Sequence, residues 1–206
     1  MNILGFDTSS KDIYIVLIIG DKCIKKLVEN TPSTEFLLPA IDNLLSENRI
    51  DIKDISVIAP GVGPGSFTGS RVAIASAKAF VCADESKKLL PFSAFDAIGA
   101  KDDGNLYVVE GFSNFVYVYC NGVSKCITNG EAKMLAESCK NCYATSNLLN
   151  VSNFVKTEYD ILSAIMNKLG DKKYVNLSSL EPVYLRASQA EIQLEEKKRR
   201  QACDKN

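Results

Sequence analysis

Histidine is missing altogether from the 206 residues of this chain. Without imidazole there is no Ser-His-Asp or Cys-His catalytic centre, and no metal site that needs a histidine ligand. Charge of one sign is also lacking. Lys and Arg number 24 against 25 Asp and Glu, a net charge of −1, so no broad basic field invites nucleic acid to the chain alone. Long apolar runs are few. The longest uncharged stretch, Ile55 to Ser70, is broken by Pro60, Pro64 and four glycines, which excludes a membrane helix there. The seven cysteines are odd in number and scattered from Cys23 to Cys203, a pattern for a reducing compartment rather than a disulfide framework. Met1 leads straight into the strand-like Ile3-Leu4-Gly5-Phe6 without a basic leader, and the expected location is the cytoplasm. Cys139-x-x-Cys142 is half of a zinc site or a redox pair, but no second closely spaced pair completes four ligands. Two incidental thiols, no metal and no cofactor are the expectation.

What is present is an ordinary core, with 46% hydrophobic residues, laid out in a readable order. Asn2–Phe6, Ile13–Ile19 and Cys23–Val28 are β-branched runs joined by short polar turns, which predicts an antiparallel meander. A helix is predicted over Ser33–Asn48, with Leu37, Ile41, Leu44 and Leu45 at helical spacing and Pro39 placed to kink it. Ile55–Ala59 is a buried strand, a glycine loop follows, and a helix runs to about Ala83 with Ser66 or Thr68 as its cap. Leu89–Pro91 is strand-like and Ser93 can cap a helix over Ala94–Ala100. The polar segment Lys101-Asp102-Asp103-Gly104-Asn105 is the expected boundary between residues 1–100 and residues 101–206.

Beyond that boundary the order begins again. Strands are predicted at Leu106–Glu110, Val116–Cys120 and Val123–Ile127, the last two joined by the hairpin turn Asn121-Gly122. A helix over Glu131–Cys139, a strand near Cys142–Thr145 and a helix over Glu158–Leu169, stopped by Gly170, complete the unit. The expected fold is therefore α/β: a duplicated, two-lobed ribonuclease H-like fold of the actin, Hsp70 and sugar-kinase superfamily, its second lobe reduced and followed by a C-terminal helix.

The glycine loop Pro60–Gly69 reads as a seat for phosphate, yet it matches neither common pattern. No lysine follows a glycine as a P-loop requires, and Gly63, Gly65 and Thr68 break the Gly-x-Gly-x-x-Gly of dinucleotide folds. Two readings remain: an anion held by free amides at the helix start, or a tight turn that lets two backbones pack closely. In this superfamily the nucleotide work falls to the turn after the first strand of each lobe. Here these are Asp7-Thr8-Ser9-Ser10 and Glu110-Gly111-Phe112-Ser113-Asn114, and a third position reads Tyr143-Ala144-Thr145-Ser146-Asn147. The first lacks a glycine and the second an aspartate, so Asp7, Thr8 and Ser9 read as a vestigial nucleotide clasp.

Four stretches stand together here: Ile3-Leu4-Gly5-Phe6-Asp7-Thr8-Ser9, Ser33-Thr34-Glu35-Phe36-Leu37-Leu38-Pro39, Gly63-Pro64-Gly65-Ser66-Phe67-Thr68-Gly69 with Arg71, and Pro182-Val183-Tyr184-Leu185-Arg186-Ala187. On these residues the chain resembles a known family, TsaB, also called YeaZ, of the tRNA threonylcarbamoyladenosine pathway. The match is specific over residues 1–100 and at 182–187, and weak between. It implies a non-catalytic scaffold subunit that pairs with a TsaD-like transferase through helices of the first lobe and works with a TsaE-like ATPase. It also implies tRNA contact only through the complex, and a homodimer when the chain is isolated. The transferase of that pathway uses histidines, which this chain does not have.

Residue spacing adds candidates for the partner surface. Phe36, Ala40 and Asn43 lie on a different face of the first long helix from its predicted core residues, and Ala73, Ala77 and Val81 form a second apolar face on the glycine-loop helix. With Gly65, Ser66, Phe67, Thr68, Gly69 and Arg71 they make up the expected partner-binding set, unless both faces are simply core. Arg71, in the first turn of its helix, is expected to pair with a carboxylate of this chain or of the partner. The tail Glu195-Glu196-Lys197-Lys198-Arg199-Arg200 alternates acid and base in pairs and reads as a solvated helical face. The competing reading of the whole chain is an active actin-like ATPase or small-molecule kinase that uses Asp7.

Overall fold

The computed structural model of the chain describes residues 1–186; the charged tail and the expected C-terminal helix lie outside the described residues. Strands β1 (Asn2–Asp7), β2 (Ile13–Ile19) and β3 (Lys22–Val28) form the antiparallel meander. After α1 (Ser33–Glu47) the chain enters β4 (Val57–Pro60), which pairs parallel with β1. Helix α2 (Phe67–Ala83) then crosses to β5 (Lys88–Leu89), giving the sheet order β3-β2-β1-β4-β5. A short α3 (Ala94–Ala97) leads to the second sheet.

That sheet repeats the plan. β6 (Leu106–Glu110), β7 (Phe115–Cys120) and β8 (Val123–Thr128) form a second meander. Helix α4 (Asn129–Ser138), β9 (Cys142–Ala144) and β10 (Phe154–Lys156) complete the order β10-β9-β6-β7-β8. This is the ribonuclease H-like order, twice. β10, a three-residue strand between the polar Asn153 and Thr157, was not predicted. Helix α4 begins earlier than its predicted start because Thr128 and Glu131 close a capping box around its first turn.

Both faces of the first sheet are buried, which is why its central strands are continuously apolar. On one face Leu4, Phe6, Ile13, Ile15, Leu17 and Ile58 pack under α1 and α2. α1 inserts Leu37, Ile41 and Leu44, each fully buried side chain worth about 1.5–3 kcal/mol of transfer free energy. On the other face Ile3, Val16, Val57 and Ala59 meet Ile161, Ala164 and Ile165 of α5 (Ile161–Gly170). The helix lies at the chain's return from the second sheet, and it starts at Ile161 because Asp160 caps it through the Leu162 amide. After α5 the chain stays on the first lobe: Leu89 bridges Val175, Leu180 enters the core, and the Val183 amide donates to the Val62 carbonyl. α4 covers one face of the second sheet, where Ala132 and Ala136 pack on Leu106, Val108, Val116 and Val118. On its other face Tyr107 packs against Phe95 and Ile98, at and just beyond α3. Among the described residues no helix is long and apolar enough to cross a membrane.

Candidate functional site

The end of β1 and the glycine loop are one structure. β1 and β4 run parallel side by side, so the turn after β1 lies directly against the turn after β4. The Ser66 amide donates to the Ser9 carbonyl at 2.6 Å, and the Thr8 hydroxyl donates to the Gly69 carbonyl at 2.7 Å. A Cβ at residue 61, 65 or 69 would overlap the Asp7 carboxylate, the Ser9 carbonyl and the Thr8 carbonyl respectively. Of the four loop glycines only Gly63 has a positive φ, at 87°. The other three serve close backbone approach. Ser66, not Thr68, caps α2 by accepting from the Gly69 amide.

The carboxylate at the centre is fully enclosed. Asp7 is 0% exposed and accepts from the Ser9 amide at 3.2 Å, the Ser9 hydroxyl at 2.9 Å and the Tyr159 hydroxyl at 2.8 Å. Burial pushes its acid constant above the ordinary value, and the bonds from Tyr159 and Ser9 offset part of that rise. Burial and the neighbouring Asp7 charge together hold the Tyr159 phenol well above its usual range, so it remains a donor. Tyr159 precedes α5 and crosses over from beyond the second sheet, also packing on Tyr14 at 4.9 Å. The sequence reading missed it, since a single tyrosine between strand and helix carries no periodic signal. The amide that a phosphate would need, that of Ser9, is turned onto Asp7. The hollow beside Tyr159, lined by Tyr14, Lys25 and Asp160, holds about 220 Å³, below the roughly 300–1,000 Å³ of small-molecule sites. Lys25 and Asp160 form an ion pair at 2.8 Å in its wall.

The helix faces differ from expectation. Ala40, Ala73, Ala77 and Val81 are buried in the core, at 8, 0, 0 and 8% exposure, and present no surface to a partner. Their small size lets α1 and α2 settle closely on the sheet and on each other. Phe36, Asn43, Ser66, Phe67, Thr68 and Arg71 are exposed, Gly65 is half-buried and Gly69 is buried. The outer face of α2 carries Ala75, Ala79 and Cys82 beyond Phe67 and Arg71, and α1 adds Leu38 beside Phe36. Arg71 meets no carboxylate among the described residues. Its guanidinium carbon sits 3.8 Å from the Phe67 ring centroid, and its Nε donates to the Tyr184 hydroxyl at 2.7 Å. Two motifs whose contacting residues lie 113 positions apart, Gly-Ser-Phe-Thr-Gly-x-Arg and Pro-Val-Tyr-Leu-Arg, thus meet in one place.

Among the described residues the thiols are all free. Cys142 is buried and pushed up to about 11 by that burial, which makes it a poor nucleophile and a poor ligand at neutral pH. Among the described residues no three cysteine or acidic side chains are grouped to hold a metal ion.

Comparison with known proteins narrows the reading. Residues 31–119 match the family model described as TsaD, tRNA N6-adenosine threonylcarbamoyltransferase. A tRNA threonylcarbamoyladenosine biosynthesis protein TsaB from Buchnera aphidicola subsp. Baizongia pistaciae is 40% identical over 78 residues, 37% of this chain and 35% of that protein. The protein of that name from Escherichia coli K12 is 34% identical over 80 residues, 38% of this chain and 34% of its own length. The aligned stretch therefore spans about a third of each curated relative. A crystal structure described as a protein with similarity to peptidase YeaZ from Pseudomonas aeruginosa superposes with a TM-score of 0.72 at 19% identity, over 90% of this chain and 99% of that one. A second YeaZ structure from that organism gives 0.67 at 18% identity, over 89% and 99%.

Proposed function

We propose that this chain, which belongs to the TsaB/YeaZ family, is a non-catalytic subunit in the biosynthesis of threonylcarbamoyladenosine on tRNA in the cytoplasm. In this reading it docks a TsaD-like transferase through the outer face of α1 and α2, works with a TsaE-like ATPase within the complex, and meets tRNA only there. The observation that carries the reading is the enclosure of Asp7: the acid that a nucleotide enzyme of this fold would use is covered by the chain's own glycine loop and Tyr159. A residue so placed supports a fold and leaves no room for a phosphate. Beside it, an exposed helix face bearing Phe36, Leu38 and Phe67 offers apolar surface for a partner.

The test begins with the position of the substitution. Ala77→Arg would drive a charge into the core, whereas Ala75→Arg places the same side chain on the open face of α2. Ala75→Arg is expected to keep the melting profile of the parent while weakening transferase binding about 30-fold or more. Titration with ATP and magnesium is expected to give no tight binding and no turnover by the isolated chain. Steady hydrolysis abolished by Asp7→Asn would sink the scaffold reading and leave the actin-like ATPase. Light scattering supplies a further check. Without its partner the chain is expected to cover the same face with a second copy, and Ala75→Arg to return it to a monomer.

A further inference from the structure

We propose that Arg71 is a preset receptor for a single carboxylate carried by the protein that docks on α2, a deepening that rests on the docking reading above. The guanidinium is held from two sides before any partner arrives. Phe67, one helical turn earlier, supports its flat face at 3.8 Å, and Tyr184 accepts its Nε–H at 2.7 Å. Phe67 and Tyr184 are themselves stacked, with centroids 5.0 Å apart and rings inclined by 26°. Tyr184 is fixed in turn by the Val183 amide, which donates to the Val62 carbonyl at 2.8 Å. A side chain locked in this way has already lost most of its rotamer freedom, so a ligand gains the bond without that cost.

What remains on offer is the far edge of the fork. Arg71 is exposed, and among the described residues neither of its Nη groups has an acceptor. It also stands one turn into α2, whose first turn carries no acidic residue to balance a cation. A carboxylate at the Nη groups would satisfy both the fork and the helix start, with the bidentate geometry that arginine favours.

The surroundings choose between kinds of anion. Phe67, Tyr184 and Val183 are 40, 45 and 37% exposed, so the cation is framed by apolar and aromatic surface. A charge framed in this way suits one acidic side chain closing a dry interface. An RNA backbone is taken up by a run of cations along a groove.

The experiment uses the full chain and its transferase partner, with binding followed by calorimetry and folding by circular dichroism. Arg71→Gln, which leaves the Phe67–Tyr184 stack in place, is expected to weaken binding about 30-fold or more. Arg71→Lys keeps the charge but not the fork, and is expected to lose about tenfold. The Arg71→Glu variant is expected to regain affinity when one acidic residue of the partner is changed to lysine, found by scanning the partner's acids. If Arg71→Gln and Arg71→Lys bind as the parent does while Ala75→Arg does not, docking stands and the carboxylate receptor is wrong. If Ala75→Arg also binds normally, the docking reading fails as well. If Arg71→Gln keeps the partner but loses affinity for a tRNA oligonucleotide, the anion is a phosphate and the proposal is overturned. Should Arg71→Glu unfold, the glutamine and lysine variants decide the matter alone.

Discussion

Gly69→Ala is expected to destabilise the first lobe by about 3 kcal/mol or more, an overpacking cost at the top of the usual range. The sign is informative, because residue 69 lies in the first turns of α2, where alanine is ordinarily preferred over glycine by about 1 kcal/mol. The added methyl would overlap the Thr8 carbonyl oxygen. That oxygen belongs to the β1 end, which is anchored by the Thr8 hydroxyl bond to Gly69 and by the Ser66 amide bond to Ser9. Neither backbone can yield without losing those bonds, so α2 would have to lift from the sheet and open the packing around Ala73 and Ala77. Gly130→Ala is the matched control. It too is near a helix start, but nothing lies within 4 Å of the place its methyl would take, and it is expected to stabilise by about 0.5–1 kcal/mol. Urea unfolding of the two variants checks the pair. Equal stabilisation by both would mean that the glycine loop is not packed against β1.

The strands and helices of the first lobe were legible because each carries a local signal. The β-branched run Ile13–Ile19 and the spacing of Leu37, Ile41 and Leu44 are local facts about the chain. The direction in which the small residues face was not legible. Ala40, Ala73 and Ala77 look alike whether small size admits a partner helix or lets α1 and α2 sink onto their own sheet, and the structure uses them for the second purpose. Helix α5 was legible as a helix but not as to its place. Ile161 and Ile165 fit any apolar face, and that they cover β1 and β2 depends on a chain return that spacing cannot encode. The glycine loop was legible as a close approach but not as to what it approaches. Tyr159 and Tyr184 were the hardest. Each acts through one hydroxyl whose partner lies more than 100 residues away, 152 for Tyr159 and Asp7 and 113 for Tyr184 and Arg71.

Tyr159→Phe is expected to cost about 3 kcal/mol near neutral pH, the upper range for a hydrogen bond to a charged group, and less in acid. Asp7 explains the pH dependence. In the folded protein burial raises its acid constant above the unfolded value of 3.8, so the folded state holds that proton more tightly. Below that value Asp7 is neutral in both states and costs nothing. As pH climbs through the folded constant, the buried charge must form and stability falls. The Tyr159 hydroxyl limits the fall by donating to the carboxylate, so its removal raises the constant further and widens the window over which stability is lost. Asp7→Asn has no proton to lose. Its amide can keep the Ser9 amide bond, and the two hydroxyls can turn to accept from it, so its stability relative to the parent is expected to grow between acid and neutral pH. Acidic groups with lowered constants, such as Asp84 at about 2, act with the opposite sign at lower pH, and they cancel in the difference between parent and variant. Unfolding free energies of the parent and both variants from about pH 4.5 to 8 test this. A Tyr159→Phe cost that does not change with pH, or an Asp7→Asn that loses ground as pH rises, would refute the buried carboxylate–phenol pair. The same Asp7→Asn protein closes the functional argument. If Asp7 supports the fold and no chemistry, the variant binds its transferase and supports threonylcarbamoyl transfer at the parent's rate, and a folded variant that binds but cannot support transfer would make Asp7 a participant in the reaction.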